Sequence, residues 1–374
     1  MSDNNIESQS QSQNQSQNPL AKTELAYLYQ KPDSEGMIRS TFEDFKVFEI
    51  LPFEFSGEGE HLVLHIRKTG ANTTFVARQL ARYFKVKDAL VSYAGLKDRN
   101  AVTEQYFSIH LPGKPADDIS TLNIEGVEVL AKYRHNKKLK TGALSGNRFE
   151  LVLRNVTDTD DIYRRWVQVC KYGVPNYFGE QRFGINGNNL TRAQQMFAGA
   201  KIKDKKKRGF YLSAVRSFLF NQLVHQRIEA NAFSSPQAGD VMMMSGSQSV
   251  FAIDDVTADI SERFARNDID ITAAMWGRGQ VMTSLNVAEQ ELALAQTFSE
   301  YCQGLETFGL KQERRRIRLM PTDADISQKD DTVTLGFTLP AGSFATTILR
   351  ELLNYQDASE IRRTEQYDEN SGQQ

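Results

Sequence analysis

The order of its apolar patterns predicts an α+β fold whose sheet is interrupted by an inserted domain. Three observations carry that reading. First, several segments alternate with the period of two that a half-buried strand requires. Leu62, Leu64 and Ile66 stand against His61, Val63 and His65; Phe107 and Ile109 against Tyr106, Ser108 and His110; Phe149, Leu151 and Leu153 against Glu150, Val152 and Arg154. Val333, Leu335 and Phe337 repeat the pattern late in the chain. Second, a helix is predicted between the first two strands, from Asn72 as N-cap to Phe84, with Phe75, Val76, Leu80, Tyr83 and Phe84 as its apolar stripe. Third, the middle changes character. Asp160 to about Lys207 is mostly helical around a loop at 173–189, Leu212 to Ile228 is a second strong helix, and strand alternation returns only after Asp331. Strands and helices without a regular βαβ rhythm imply a mixed sheet, and a block interrupting a sheet reads as an inserted domain, here with limits near 171 and 318.

Composition bounds the class. A chain of 374 residues, 40% hydrophobic and 25% charged, suits two soluble domains. No apolar run reaches the ~18 residues of a membrane helix, and MSDNNIESQSQ lacks the basic and apolar regions of a signal peptide. Cys170 and Cys302 are the only cysteines, which excludes a disulfide scaffold and fits a reducing, cytoplasmic setting. Residues 1–19 and 356–374 are polar and are expected to be disordered tails without chemistry. No heptad repeat is evident, so a monomer is expected.

The net charge of −2 is unevenly spread. The two tails carry −2 and −3, leaving +3 on the remainder. Within that remainder lie three basic runs, Lys132–Lys140, Lys201–Arg208 and Lys311–Arg318. One such run is ordinarily a solvated face; three concentrate positive charge as a phosphate backbone requires. Lys137, Lys138, Lys205, Lys206, Lys207 and Arg208, together with Lys97, are the expected backbone contacts. Aromatics that could stack on unpaired bases interleave with the runs, among them Tyr133, Tyr177, Phe178 and Phe210.

Familiar motifs for nucleotides, metals and acyl transfer are missing, so no cofactor and no metal are expected. His61 and His65, ~13 Å apart along a strand, read as solvent-facing residues rather than ligands. The unusual segment is Tyr93–Gln105, YAGLKDRNAVTEQ. Gly95 permits a tight turn, and Asp98 stands between Lys97 and Arg99. An arbitrary K-D-R run is usually a solvated hairpin loop. The alternative is a carboxylate held ionised by its cationic neighbours and able to act on a sugar carbon. Spacing leaves both open.

AGLKDRNAVTEQ (94–105) and VPNYFGEQRFG (174–184) closely resemble blocks of the TruD family of tRNA pseudouridine synthases. RSTFEDFKV (39–47), GNRFELVLR (146–154) and LPAGSFATTILREL (339–352) resemble further blocks of that family in the same order. The likeness spans about residues 24–356. It implies a pseudouridine synthase core at 20–170 and 319–355, with a mixed, largely antiparallel sheet and flanking helices, and a TruD-specific α/β domain at 171–318. It also implies Asp98 as the catalytic residue, Arg39 beside it, and Asn147, Phe149, Phe45 and Phe344 around a uridine, with Phe149 holding the uracil face. The substrate implied is tRNA, at uridine 13.

Such a reaction cuts the N1–C1′ bond, turns the base and rejoins it through C5, which needs no redox step, nucleotide or metal. Asp98 would attack C1′ or deprotonate C2′; the residues leave both routes open. A noncatalytic RNA binder on the same fold is the competing reading, disfavoured because an acid facing phosphates gains a binder nothing. A glycosidase would need a second carboxylate paired with Asp98, and none is visible in the sequence.

Overall fold

The computed structural model describes residues 24–113 and 119–362. The expected tail at 1–19, and 363–374 of the second, lie outside the described residues. The chain divides into two compact units: Tyr27–Asn176 with the residues from Arg316 onward, and Tyr177–Arg315 with the stretch ending at Ala26.

The first unit opens with β1 (Glu35–Ile38), β2 (Phe45–Ile50) and β3 (His61–Thr69). Helix α1 (Thr73–Tyr83) and the strands β4 (Val91–Tyr93), β5 (Val102–His110), β6 (Val127–His135) and β7 (Gly146–Leu153) follow. Helix α1 starts after Asn72 as expected, but its buried row is Thr73, Val76, Ala77, Leu80 and Ala81. Phe75, placed in the stripe from sequence, is exposed, because the row that meets the sheet advances by three and four residues from Thr73. Helix α2 (Thr159–Tyr172) is capped by the Asp158 carboxylate, which accepts the Asp161 N–H at 2.9 Å. It ends at Gly173, whose φ of 78° a side chain would resist. The short β8 (Val174–Pro175) comes next.

The second unit contains α3 (Asn188–Phe197), α4 (Lys205–Glu229), β9 (Val241–Met244), β10 (Val250–Ala252), α5 (Ala258–Ala265), β11 (Ile269–Met275), α6 (Leu285–Thr297), α7 (Ser299–Thr307) and β12 (Glu313–Arg316). Its strands form one sheet in the order β10-β9-β11-β12. Helix α4 begins seven residues before the Leu212 expected from periodicity, because Asp204 caps it by accepting the N–H groups of Lys206 and Lys207. Two arginines are locked inside this unit. Arg227 forks onto Asp240 at 2.6 and 2.7 Å and donates to the carbonyls of Ala232 and Ser235. Arg314 sets Nη1 against both Glu291 oxygens, at 2.8 and 3.0 Å, and donates to Thr272 through Nε and Nη2, while Thr283 and the Ala274 N–H also bond Glu291. Part of the third basic run is therefore spent on the interior.

The chain re-enters the first unit through β13 (Arg318–Leu319), which pairs with β8. That pairing keeps Val174–Pro175 and Arg318 with the first unit, so its limits are 176 and 316 where sequence suggested 170 and 319. Strands β14 (Thr322–Lys329) and β15 (Thr332–Pro340), helix α8 (Ala345–Leu352) and β16 (Asn354–Asp357) complete it. The main sheet runs β14-β15-β7-β2-β5-β3-β6, with β4 on β5. Its pairings are antiparallel except β2 with β5. Strand β16 adds in parallel to β1, and residues 358–362 turn into helix. Structure thus runs to Arg362, inside the segment that composition set aside as tail. One core packs α2 and α8 against β2, β7 and β15; another packs α1 against β3 and β5.

Candidate active site

Each inward row of the central strands ends in a polar residue. Phe45 and Val47 lead to Glu49; Leu62, Leu64 and Ile66 to Lys68; Ile109 and Phe107 to Gln105; Leu153, Leu151 and Phe149 to Asn147. All of these are buried. The pleat alone keeps each polar residue on the face of its apolar neighbours, and at the strand ends they meet the loop that carries Asp98.

That loop joins β4 to β5 and is pinned from several sides. The Lys97 N–H donates to Thr73 Oγ1 at 3.1 Å, Thr73 donates to Gln105 Oε1 at 2.8 Å, and Gln105 Nε2 donates to the Gly95 carbonyl at 3.3 Å. Lys68 donates its ammonium to the Asp98 carbonyl at 2.8 Å. Burial pushes the Lys68 ammonium down to about 8; Asp98 opposes the shift and Lys97 adds to it. The Lys97 ammonium reaches Glu49 Oε1 at 3.2 Å and donates to Asn147 Oδ1. Burial lowers its pKa too, with Glu49 opposing.

These contacts correct two expectations. Lys97 has only 5% of its side chain exposed and holds the loop to the sheet, so it does not face an RNA backbone. Arg99 turns away as well, donating to the Gly70 carbonyl at 3.2 Å. The cation on Asp98 is Arg39, 59 positions earlier in the chain, whose Nη2 donates to Oδ2 at 2.9 Å. Asp98 Oδ1 accepts the Asn100 N–H at 3.0 Å. The Asp98 side chain is 29% exposed while that of Arg39 is 5% exposed. A carboxylate pinned on both oxygens and still open to solvent is placed to meet a substrate; its arginine is not.

Arg39 itself is over-determined. Its backbone is left-handed at φ 55°, an uncommon state for a side-chain-bearing residue. Its guanidinium lies 3.9 Å above the Phe45 ring, and Nη1 donates to Asp357 Oδ2 at 2.5 Å. Phe45 meets Phe149 edge-on at 6.4 Å, and Phe149 stacks on Phe337 at 5.5 Å. Phe149 is 6% exposed and packs in the core with Phe337 against its ring, where the expectation set it against the uracil. Phe45, buried beneath Arg39, is part of the same floor. Phe344 is half-buried at the N-cap of α8, on the turn that leaves β15 beside Gly146 and Asn147.

Of the expected phosphate contacts, Lys137, Lys138 and Lys205–Lys207 are exposed, Lys138 bonding the Ala89 carbonyl, and Arg208 is half-buried. Lys207 lines an open cavity of about 380 Å³ with Arg192, Lys201, Lys203 and Tyr211. His61 stacks on His110 and His65 on Tyr106. Among the described residues no cluster of His, Cys, Asp or Glu could hold a metal, and no helix is long and apolar enough to cross a membrane.

The result is a two-unit α+β chain whose main sheet delivers a pinned aspartate that is still open to solvent. The family model described as tRNA pseudouridine synthase D (TruD) matches residues 23–202 and 188–352, and the chain belongs to that family of isomerases. The tRNA pseudouridine synthase D of Colwellia psychrerythraea is 58% identical over 89% of this chain and 94% of its own length. That of Shewanella oneidensis is 48% identical over 91% and 92%. A crystal structure from Methanosarcina mazei assigned to TruD superposes with a TM-score of 0.67 at 22% identity, covering 88% of this chain and 95% of the other; it bears on the fold alone.

Proposed function

We propose that this enzyme converts uridine 13 of tRNA to pseudouridine and that Asp98 is the group that reacts, with Asn147 and Phe344 bordering the base. The observation that supports this best is the state of Asp98: held by Arg39 and Asn100, and 29% exposed where its arginine is 5% exposed. The N1–C1′ bond breaks, the C5–C1′ bond forms, and the hydrogen lost from C5 is balanced by one gained at N1, so the reaction is an isomerisation. Releasing uracil needs either attack on C1′ or removal of the C2′ proton, and both ask for an ionised, immobile carboxylate. The uridine must leave its stack to reach a residue on a loop. Lys137, Lys138, Lys205, Lys206, Lys207 and Arg208 would bind phosphates of the tRNA. The setting we infer is a cytoplasmic monomer.

Mapping pseudouridine in tRNA from cells with and without the gene, and with Asp98→Asn in its place, tests the reading. Loss of the modification at position 13 alone, in both the deletion and the Asn variant, is expected, with tRNA affinity of the variant within about threefold of wild type. Modification persisting in the Asn variant removes Asp98 from the chemistry. Loss at a different position removes uridine 13.

A further inference from the structure

Arg39 carries two carboxylates, and only one of them belongs to the site described above. Nη2 serves Asp98 and Nη1 serves Asp357 Oδ2. Asp357 is itself held: its other oxygen accepts the Ser359 N–H at 3.0 Å and the Ser359 hydroxyl at 2.6 Å. The segment around it is fastened to the backbone of Arg39. Strand β16 pairs with β1 so that Asp357 stands beside Ile38, and Arg362 donates to the carbonyls of Arg39 and Ser40, both at 2.8 Å. Asp357 lies beyond residue 352, where the family match ends.

A guanidinium has a planar fork that prefers to take one carboxylate with both arms. Here it does not, because Asp357 occupies one arm. Arg39 is nearly sealed from solvent, so water cannot satisfy Nη1 if Asp357 is removed. The freed arm would turn to Asp98, the next carboxylate within its reach, drawing Oδ1 away from the Asn100 N–H. Asp98 would then be doubly bonded and turned inward, its open lone pairs spent on the arginine.

We propose that Asp357 is a positioning residue: by holding one arm of Arg39 it limits that arginine to a single bond with Asp98, leaving the carboxylate free to react. This rests on the reading of Asp98 as the reacting group. It assigns residues 354–362 a part in catalysis, carried out without contact with the substrate.

The experiment is single-turnover pseudouridine formation at saturating tRNA, with rates divided by the fraction of protein that binds tRNA. In Asp357→Asn the single amide oxygen is claimed by the two Ser359 donors, which leaves the NH2 facing Nη1 and frees that arm; the rate should fall about tenfold to a hundredfold with tRNA affinity unchanged. In an Arg39→Lys background, whose ammonium has no fixed fork to share, the same change should cost less than about threefold. A wild-type rate for Asp357→Asn overturns the proposal. So does an equal loss in both backgrounds, which would mark Asp357 as a support for the fold. Should Asp357→Asn fail to fold, Ser359→Ala removes only the hydroxyl bond to Asp357; a rate loss of about twofold to fivefold then supports the proposal and an unchanged rate overturns it. Asp98→Asn assayed alongside separates the two readings. An active Asp98→Asn sinks the role of Asp98 itself, whereas an inactive one beside a fully active Asp357→Asn sinks this inference alone.

Discussion

The inserted unit and the unit that carries Asp98 both hold arginines away from water, but they finish the job differently. Arg314 and Glu291 are 2% and 4% exposed, with both carboxylate oxygens taken by the same guanidinium and by Thr283 and the Ala274 N–H. Arg227 and Asp240 form a second closed pair, joined fork to carboxylate. Arg39 is just as buried, yet it splits its fork between two acids, and the one it shares with the loop is 29% exposed. A closed pair satisfies itself and has nothing left for a ligand. An open pair keeps one partner at the surface, which costs stability and leaves chemistry available.

The contrast can be broken at three points, in falling order of effect. Glu291→Ala strands a guanidinium in the interior and should destabilise the protein by about 3–5 kcal/mol; Asp98→Asn, cutting an open pair, should change it by less than about 1 kcal/mol. Urea unfolding of both variants measures the gap, and equal losses would erase the distinction. Lys68→Met probes the buried cation under Asp98. A lysine at about 8 in the folded protein, against 10.5 unfolded, carries its burial cost in full below pH 8 and sheds it as the pH rises towards 10.5. Wild type should therefore gain on Lys68→Met by up to about 3 kcal/mol between pH 7 and 10.5. A gap independent of pH would mean that Lys68 is not charged and buried as described. The smallest effect belongs to the floor: Phe149→Leu should cost ~1–2 kcal/mol of stability and leave the rate per folded molecule within about twofold. A tenfold slower variant of normal melting temperature would return Phe149 to the uracil.

Much of this was legible in the residues. Alternation found the strands at 61–66, 106–110, 149–154 and 333–337, because each has one face on a core and one face away from it. It also put Phe149 with Leu151 and Leu153, and the three do share a core. The same parity held an unused signal. Glu49, Lys68 and Gln105 fall on the apolar face of their strands, and a charge or amide in a buried row needs a partner that the strand does not supply. Their partners gather at the Asp98 loop. What sequence spacing could not reach was the cation: Lys97 and Arg99 flank Asp98 along the chain and serve other groups, while Arg39 arrives through the β2–β5 and β1–β16 pairings. Adjacency in a loop is a poor guide to which charge meets which, since neighbouring side chains there diverge.

One consequence concerns the order in which the protein is made. Arg39 and Asp357 are 318 positions apart. A ribosome adding about 5–20 residues per second takes about 15–60 s to cover that distance, and once Asp98 has been added, 59 positions after Arg39, the two exist without the strand that divides the guanidinium between Asp98 and Asp357. The loop, the sheet edge and the inserted unit can each condense meanwhile, but β1 has no β16 to pair with. A nascent chain therefore passes through a stage in which the aspartate is present and its arginine is not yet restrained by Asp357.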